Sequence, residues 1–543
     1  MSPQRCGHLM KVLGQREKHS VKVVRRVFHT LMKNQVEVDS NTCLKTDTAN
    51  DHQSQTRNRY IGIKKIVVGI VLGYVGYKTL QKSIHCEDKK ETCPSGMWKE
   101  KLSIDEAIAI SQDLVLQKKD EIGCPGMAIA VSVDGQTVWS EGFGFADVEN
   151  RVPCSPDSVM RIASVSKPIA TTLVAKQMEE GKLDIDKPVQ YYVPNFPQKT
   201  FGGKQVTITT RQVLSHMSGI RNYNKDYMEK KENKAGIIIC EKNTEEKKKP
   251  DRRSDREKKG EFYLNKPFHS VSESLKLFQD DPLVSEPGTK YLYTSHGWTL
   301  LSAVMEGVAK KPFEKLLQEL LKDLGMENTY MEKAEPLIYN RARCYSKNAK
   351  GKLVNAPTVD LSYKWAAGGL ISTVGDVVKF GNIILYSSQW SPPLQTSKDK
   401  GQGQRVTEDV KAAKNVSNLE KKPGGSKLLP GYLGPETVRT IWKKVDGTGF
   451  DVDPEGHYAM GWAVVEEKHE RELCEHRRYY VSHTGGSVGA SSILLILPPL
   501  GKLSHKGRPP KGVVVAMMAN LQSSNLNPVA KKIAKIFEKT HLK

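Results

Sequence analysis

The feature that most constrains this chain is the placement of its strand signals, which stand at both ends of one body whose middle reads largely helical. From Met127 to Val133 the residues are mainly apolar, Asp134-Gly135 supplies a tight turn, and Thr137-Val138-Trp139 resumes the run; this pattern predicts a β-hairpin. Far downstream, Tyr479 to Thr484, Ser491 to Leu497 and Val513 to Met518 are separated by glycines or prolines and read as strands. A final helix is expected from about Pro528 through Ile533 and Phe537. Strands so far apart in sequence complete one sheet only if the helical middle forms a subdomain beside it, so the expected class is α/β in the wider sense, more narrowly α+β.

Before that body the composition differs. Up to about residue 35, Arg5, Lys11, Arg16, Lys18, Lys22, Arg25, Arg26 and Lys33 stand against a single acid, Glu17. Val24, Val27, Phe28 and Leu31 share one helical face, the pattern of an amphipathic organellar presequence, with a disordered basic tail as the alternative. Ile66 to Tyr77 is uncharged and flanked by Lys64, Lys65 and Lys78. A run of about 12 falls short of the about 20 residues that span a bilayer, so it reads either as a sorting segment or weak anchor, or as an interfacial segment associating with a membrane. The organisation expected is a basic leader and linker over 1–60, a short hydrophobic segment over 61–85 and a catalytic body over 100–543. The body is interrupted by a charged insertion at 225–262 and a Gly/Ser/Pro/Lys-rich insertion at 388–430, neither of which has the composition to bury a core.

The formal net charge of +22 is spread over the leader and solvated loops rather than one basic face, and no zinc-finger spacing or nucleotide loop is present, so no nucleic-acid partner is expected. The nine cysteines include no C-x-x-C pair, and neither a metal nor a cofactor is expected.

Ser164-Val165-Ser166-Lys167 is an S-x-x-K tetrad, which puts a hydroxyl and an amine on one helix face. A second tetrad, Ser397-Lys398-Asp399-Lys400, falls in the low-complexity insertion and shows how weak the motif is alone. The first opens a helix: Ile169, Leu173, Val174 and Met178 recur at helical intervals, Pro168 lies in the first turn and Gly181 is a plausible stop. At a helix start, free N–H groups and the dipole can hold an oxyanion. The plain alternative for Ser164 is a helix cap.

Two further motifs follow in order: Tyr293-Thr294-Ser295 after Glu286-Pro287-Gly288-Thr289, and His483-Thr484-Gly485-Gly486 at the end of a late strand. Here the sequence resembles the class C β-lactamase and D-alanyl-D-alanine peptidase family, whose elements are S-x-x-K, Y-x-N and K-T-G or H-T-G in that order. Gly142 to Asp147, Leu214-Ser215-His216-Met217-Ser218-Gly219 and Gly368 to Thr373 are also family-like, and the resemblance covers roughly residues 105 to 540. It implies a β-lactamase/transpeptidase-like fold, an antiparallel sheet flanked by helices with an inserted helical subdomain. It also implies roles: Ser164 attacks an acyl carbonyl, Lys167 takes its proton, and Tyr293 relays protons to the leaving group. The backbone N–H groups of Ser164 and Gly486 form the oxyanion hole, and Ser295, His483, Thr484 and Gly485 meet the substrate. Ser295 replaces the usual carboxamide with a hydroxyl, and His483 replaces the commoner lysine. Because an unperturbed imidazole loses its charge near pH ~6.5, recognition of carboxylate-bearing substrates is expected to depend on pH. His216 and His296 are read as structural, since the implied mechanism leaves them no proton to carry.

The leading expectation is therefore a serine peptidase or amidohydrolase acting on a peptide or small acyl substrate. An esterase is the nearest alternative, because one nucleophile, base and oxyanion hole serve either leaving group. A scaffold with secondary activity is the alternative from another class. With its basic leader the chain resembles mitochondrial members of the family in animals, which implies the intermembrane space, filamentous homo-oligomers and an influence on lipid metabolism.

Overall fold

The computed structural model describes residues 101–223, 260–391 and 431–541, except 451–452, 467, 471–474, 500–504 and 507–509. The leader, the segment 61–85, the second S-x-x-K tetrad and nearly all of the two insertions lie outside the described residues.

The body is a nine-stranded sheet built from both ends of the chain. Its strands are β1 (Gly126–Val133), β2 (Gln136–Asp147), β3 (Val152–Pro153), β4 (Gly449–Phe450), β5 (Asp453–Tyr458), β6 (Ala463–Val465), β7 (Tyr480–Ser487), β8 (Ala490–Leu497) and β9 (Val513–Ala519). They run in the order β4-β5-β6-β7-β8-β9-β1-β2-β3, every neighbouring pair antiparallel. The hairpin closes as the sequence reading expects: Asp134 and Gly135 both have positive φ, 50° and 78°, the left-handed pair of a two-residue turn that matches strand twist. The join between the two ends is β1 against β9, from Met127 opposite Ala519 to Val133 opposite Val513.

Strand alternation divides the apolar residues between two cores. Met127, Ile129 and Val131 face α1 (Ile104–Ile122) and the last helix, α6 (Asn527–Glu538), which bury Ala107, Val115, Val529, Ile533 and Phe537. Trp139 stacks on Phe537 with centroids 6.1 Å apart. Ala128 and Ala130 face the opposite way, into the larger core shared with α2 (Ser166–Glu179), α3 (Ser295–Ala309), α4 (Phe313–Asp323) and α5 (Val374–Gln389). On α5, Gly381 permits the closest approach, since a Cβ there would come within 2.5 Å of Val514 Cγ1. These helices form the middle of the chain, and the cleft lies where α2 and α3 meet the end of β7.

Candidate active site

Ser164 lies in a 3-10 turn, Ala163–Val165, that leads directly into α2. The turn begins with Ala163 at φ 46°, a left-handed conformation costly for a residue with a Cβ. It is held from three sides. Ser166 Oγ donates to the Ala163 carbonyl at 2.7 Å, Ser492 Oγ on β8 donates to the Ile162 carbonyl at 2.6 Å, and the Ile162 N–H donates to the Leu370 carbonyl at 3.0 Å. Ser164 does not cap the helix: the N-cap position is Val165, with no side-chain capping bond. Its hydroxyl is thus left for the cleft.

One turn on, Lys167 is fully buried in α2, with Nζ 3.3 Å from Ser164 Oγ and donating to the Ala367 carbonyl at 2.6 Å. Nζ also lies 4.7 Å from the ring centroid of Tyr293. Burial, reinforced by the charge of Lys364, holds Lys167 well below the ordinary lysine value. That shift favours the neutral amine, the form able to accept a proton.

Tyr293 lies just before Thr294, the N-cap of α3, and is half-buried. Burial pushes its phenol above the usual value, opposed by a hydrogen bond with Ser164. The family-like stretch 214–219 fixes it in place. The Leu292 N–H donates to the His216 carbonyl at 2.8 Å, the Thr294 N–H donates to His216 Nδ1 at 3.0 Å, and the imidazole packs on the Tyr293 ring at 4.1 Å between centroids. Burial, then the charges of Lys167 and His483, hold His216 well below the ordinary histidine value, so it acts as a neutral acceptor. His296 is also buried, its Nε2 2.8 Å from Glu261 Oε2.

The third motif divides into residues that reach the cleft and residues that do not. Gly486 is exposed and lines a cavity of about 300 Å³ together with Ser164, Tyr293 and Ser295. Thr484 is half-buried on β7 and is absent from that lining. Gly485 is buried where a Cβ would come within 2.4 Å of the Ile162 carbonyl, so its place is a close approach of β7 to the turn that carries Ser164. His483 is 2% exposed and turned inward, with Nδ1–H donating to the Thr484 carbonyl at 2.7 Å and Nε2 2.8 Å from the Tyr458 hydroxyl. Burial, then the charge of Lys167, lowers its pKa to about 3. The expectation of an imidazole facing a substrate carboxylate and titrating near its ordinary value is therefore corrected.

Other lining residues went unnoticed in the sequence: Asn222, Tyr223, Phe262, Lys364 and Ala367. Asn222 Oδ1 accepts the Ser295 N–H at 3.1 Å, which brings a carboxamide beside the position where Ser295 lacks one. Asn222-Tyr223 lies three residues after the stretch 214–219, and Lys364 to Ala367 immediately precedes the stretch 368–373. That adjacency was the available signal. Behind Asn222, Arg221 is 2% exposed and paired with Glu261 at 2.6 Å and with Asp281 at 2.6 Å. Glu261 thus belongs to a buried cluster although it sits at the edge of the charged insertion.

The Ser164 turn, the buried amine of Lys167 and Tyr293 come together at the end of an antiparallel sheet. The Beta-lactamase family model matches residues 112–536, and the chain belongs to that family of serine hydrolases. Within it, the chain is 44% identical over 466 residues to the human serine beta-lactamase-like protein LACTB, mitochondrial, and 43% identical over 471 residues to the mouse protein of the same name. Each alignment covers 80% of both chains. Among solved structures, the octameric penicillin-binding protein homologue from Pyrococcus abyssi shares the fold at a TM-score of 0.52, with 20% identity over 79% of this chain and 75% of that one.

Proposed function

We propose that this serine hydrolase is a mitochondrial peptidase or amidohydrolase working through an acyl-enzyme on Ser164. The observation that carries the reading is the buried Lys167, its pKa depressed and its amine 3.3 Å from the Ser164 hydroxyl. Neutral Lys167 accepts the hydroxyl proton as Ser164 Oγ attacks the acyl carbonyl. The oxyanion is held by the N–H groups of Ser164 and Gly486. As the tetrahedral intermediate collapses, Tyr293, which lies beside both Ser164 and Lys167, passes the proton to the departing amine. Water then takes the place of the amine, and the same groups act in reverse to release the acid. The mitochondrial assignment is supported by the mammalian relatives and by the basic leader. The intermembrane space, homo-oligomeric assembly, membrane association through 66–77 and a role in lipid metabolism extend the same proposal.

The test is turnover of matched peptide, amide and ester libraries by the wild-type chain, Ser164→Ala and Tyr293→Phe. Amide cleavage that requires Ser164 and falls about 10²–10⁴-fold in Tyr293→Phe is expected. Turnover of esters alone would assign an esterase, and turnover of neither would leave a scaffold.

A further inference from the structure

We propose that Lys364 is the residue that recognises an anionic group, a carboxylate or a phosphate, on the substrate. The inference rests on the Ser164 reading and names the substrate class of that same cleft.

The ammonium of Lys364 leaves most of its hydrogen-bonding capacity unused. Lys364 ends a short 3-10 turn, Ser362–Lys364, just before the segment whose Ala367 carbonyl holds Lys167. It is 4% exposed, yet it lines the cavity that contains Ser164. Among the described residues its ammonium forms no ion pair, and the one hydrogen bond of that ammonium goes to the Tyr223 hydroxyl at 3.2 Å. The nearby carboxylate of Glu261 is already engaged by Arg221 and His296. Three aromatic rings surround the ammonium instead, with centroids of Tyr223 at 4.9 Å, Phe262 at 4.9 Å and Tyr363 at 5.0 Å. Ring faces stabilise the charge, but they leave the remaining N–H donors without oxygen acceptors. A nearly buried cation with unused donors, facing the space beside a nucleophile, is complementary to an anionic oxygen group.

The rest of the cleft strengthens the assignment. The strand-end position that a lysine commonly fills holds His483, which is turned away and bonded to Tyr458 and Thr484. Lys167, whose amine lies beside Ser164, is held down in pKa by burial and is committed to the Ala367 carbonyl. Among the described residues that line the cleft, Lys364 is the cation left to meet substrate. It enters from the side of Tyr223 and Phe262 rather than from β7.

The experiment measures kcat/KM for three p-nitrophenyl acyl esters of equal chain length, one ending in a carboxylate, one in a phosphate and one in a neutral methyl group. It uses the full chain and its Lys364→Gln, Lys364→Arg and Ser164→Ala variants. The wild type is expected to prefer at least one anionic ester over the neutral ester by about 10–100-fold, the size of a charge-assisted hydrogen bond. Which anion is preferred identifies the source. In Lys364→Gln that ratio collapses towards one, and in Lys364→Arg most of it survives. A wild-type ratio near one, or a ratio unchanged in Lys364→Gln, overturns the proposal. Should Lys364→Gln fail to fold, the wild-type and Lys364→Arg ratios still decide. Ester turnover that persists in Ser164→Ala counts against the nucleophile, whereas a flat ratio in a Ser164-dependent enzyme counts against Lys364 alone.

Discussion

The imidazole of His483 and the hydroxyl of Tyr458 meet at 2.8 Å inside the protein, and the other imidazole nitrogen donates to the Thr484 carbonyl. This arrangement suits a neutral ring. With a pKa of about 3 in the folded state against 6.5 ordinarily, His483 stays uncharged throughout the neutral range. The ratio of specificity constants for an anionic and a neutral substrate is therefore expected to show no step near pH 6.5. A step at that pH, removed by His483→Gln, would contradict the assignment. The sign for stability follows from the same shift: the unfolded chain binds a proton that the folded chain excludes. The contribution is harmless above pH 6.5 and increasingly destabilising as pH falls from there towards 3. Thermal melts of wild type and His483→Gln across that range should diverge in that direction.

In the proposed mechanism Lys167 is a base only when neutral, so activity should rise as it loses its proton. Its pKa is held down first by burial and second by Lys364. Removing the second cause in Lys364→Gln should move the acidic limb of the kcat/KM profile to higher pH. Lys167→Met should lower kcat/KM by about 10²–10⁴-fold at all pH values, the usual worth of a general base. An acidic limb that stays in place in Lys364→Gln would separate the two lysines.

Gly485 and Gly486 are neighbours with opposite tolerance. A Cβ on Gly485 would sit 2.2 Å from Ser492 Oγ and 2.4 Å from the Ile162 carbonyl, whereas one on Gly486 meets nothing within 4 Å. Gly485→Ala should therefore cost about 1–3 kcal/mol through overpacking and displace the turn that carries Ser164. Gly486→Ala should melt close to wild type. Denaturant titration of the pair checks this, and equal stability of the two variants would show that β7 does not press on the turn.

Glu261→Ala leaves Arg221, 2% exposed, with Asp281 as its remaining carboxylate partner. Breaking a buried pair of this kind costs about 3 kcal/mol. Burial alone would raise the Glu261 pKa, but hydrogen bonds from His296 and Arg221 bring it to about 2. Its contribution is accordingly present above its ordinary value of 4.5 and lost as pH falls through about 2. A stability loss below about 1 kcal/mol in the variant at neutral pH would place the pair among weak surface bridges.

The fold was legible because its signals are local: the Asp134-Gly135 turn, the apolar runs of β7, β8 and β9, and the spacing of Ile533 and Phe537 each carry their own conformation. That Ser164, Lys167 and Tyr293 come together was legible because the first two stand three residues apart at a helix start and the third lies in an ordered motif. What could not be read was orientation. Nothing in His483-Thr484-Gly485-Gly486 says that the ring turns towards Tyr458 and that Gly485 serves packing, since both depend on partners far away in sequence. Lys364 and Glu261 were missed for the same reason. A lysine beside a tryptophan, or an acid at the edge of a charged segment, reads as solvated until the chain brings Tyr223, Phe262 or Arg221 against it.

The most direct test of the account is covalent labelling with a fluorophosphonate probe, followed by mass mapping of the modified peptide in wild type, Ser164→Ala and Lys167→Met. One adduct on the peptide containing Ser164 is expected, with its loss in Ser164→Ala at a nearly unchanged melting temperature and strongly slowed labelling in Lys167→Met. An adduct on any other peptide, or labelling that persists in Ser164→Ala, would contradict it.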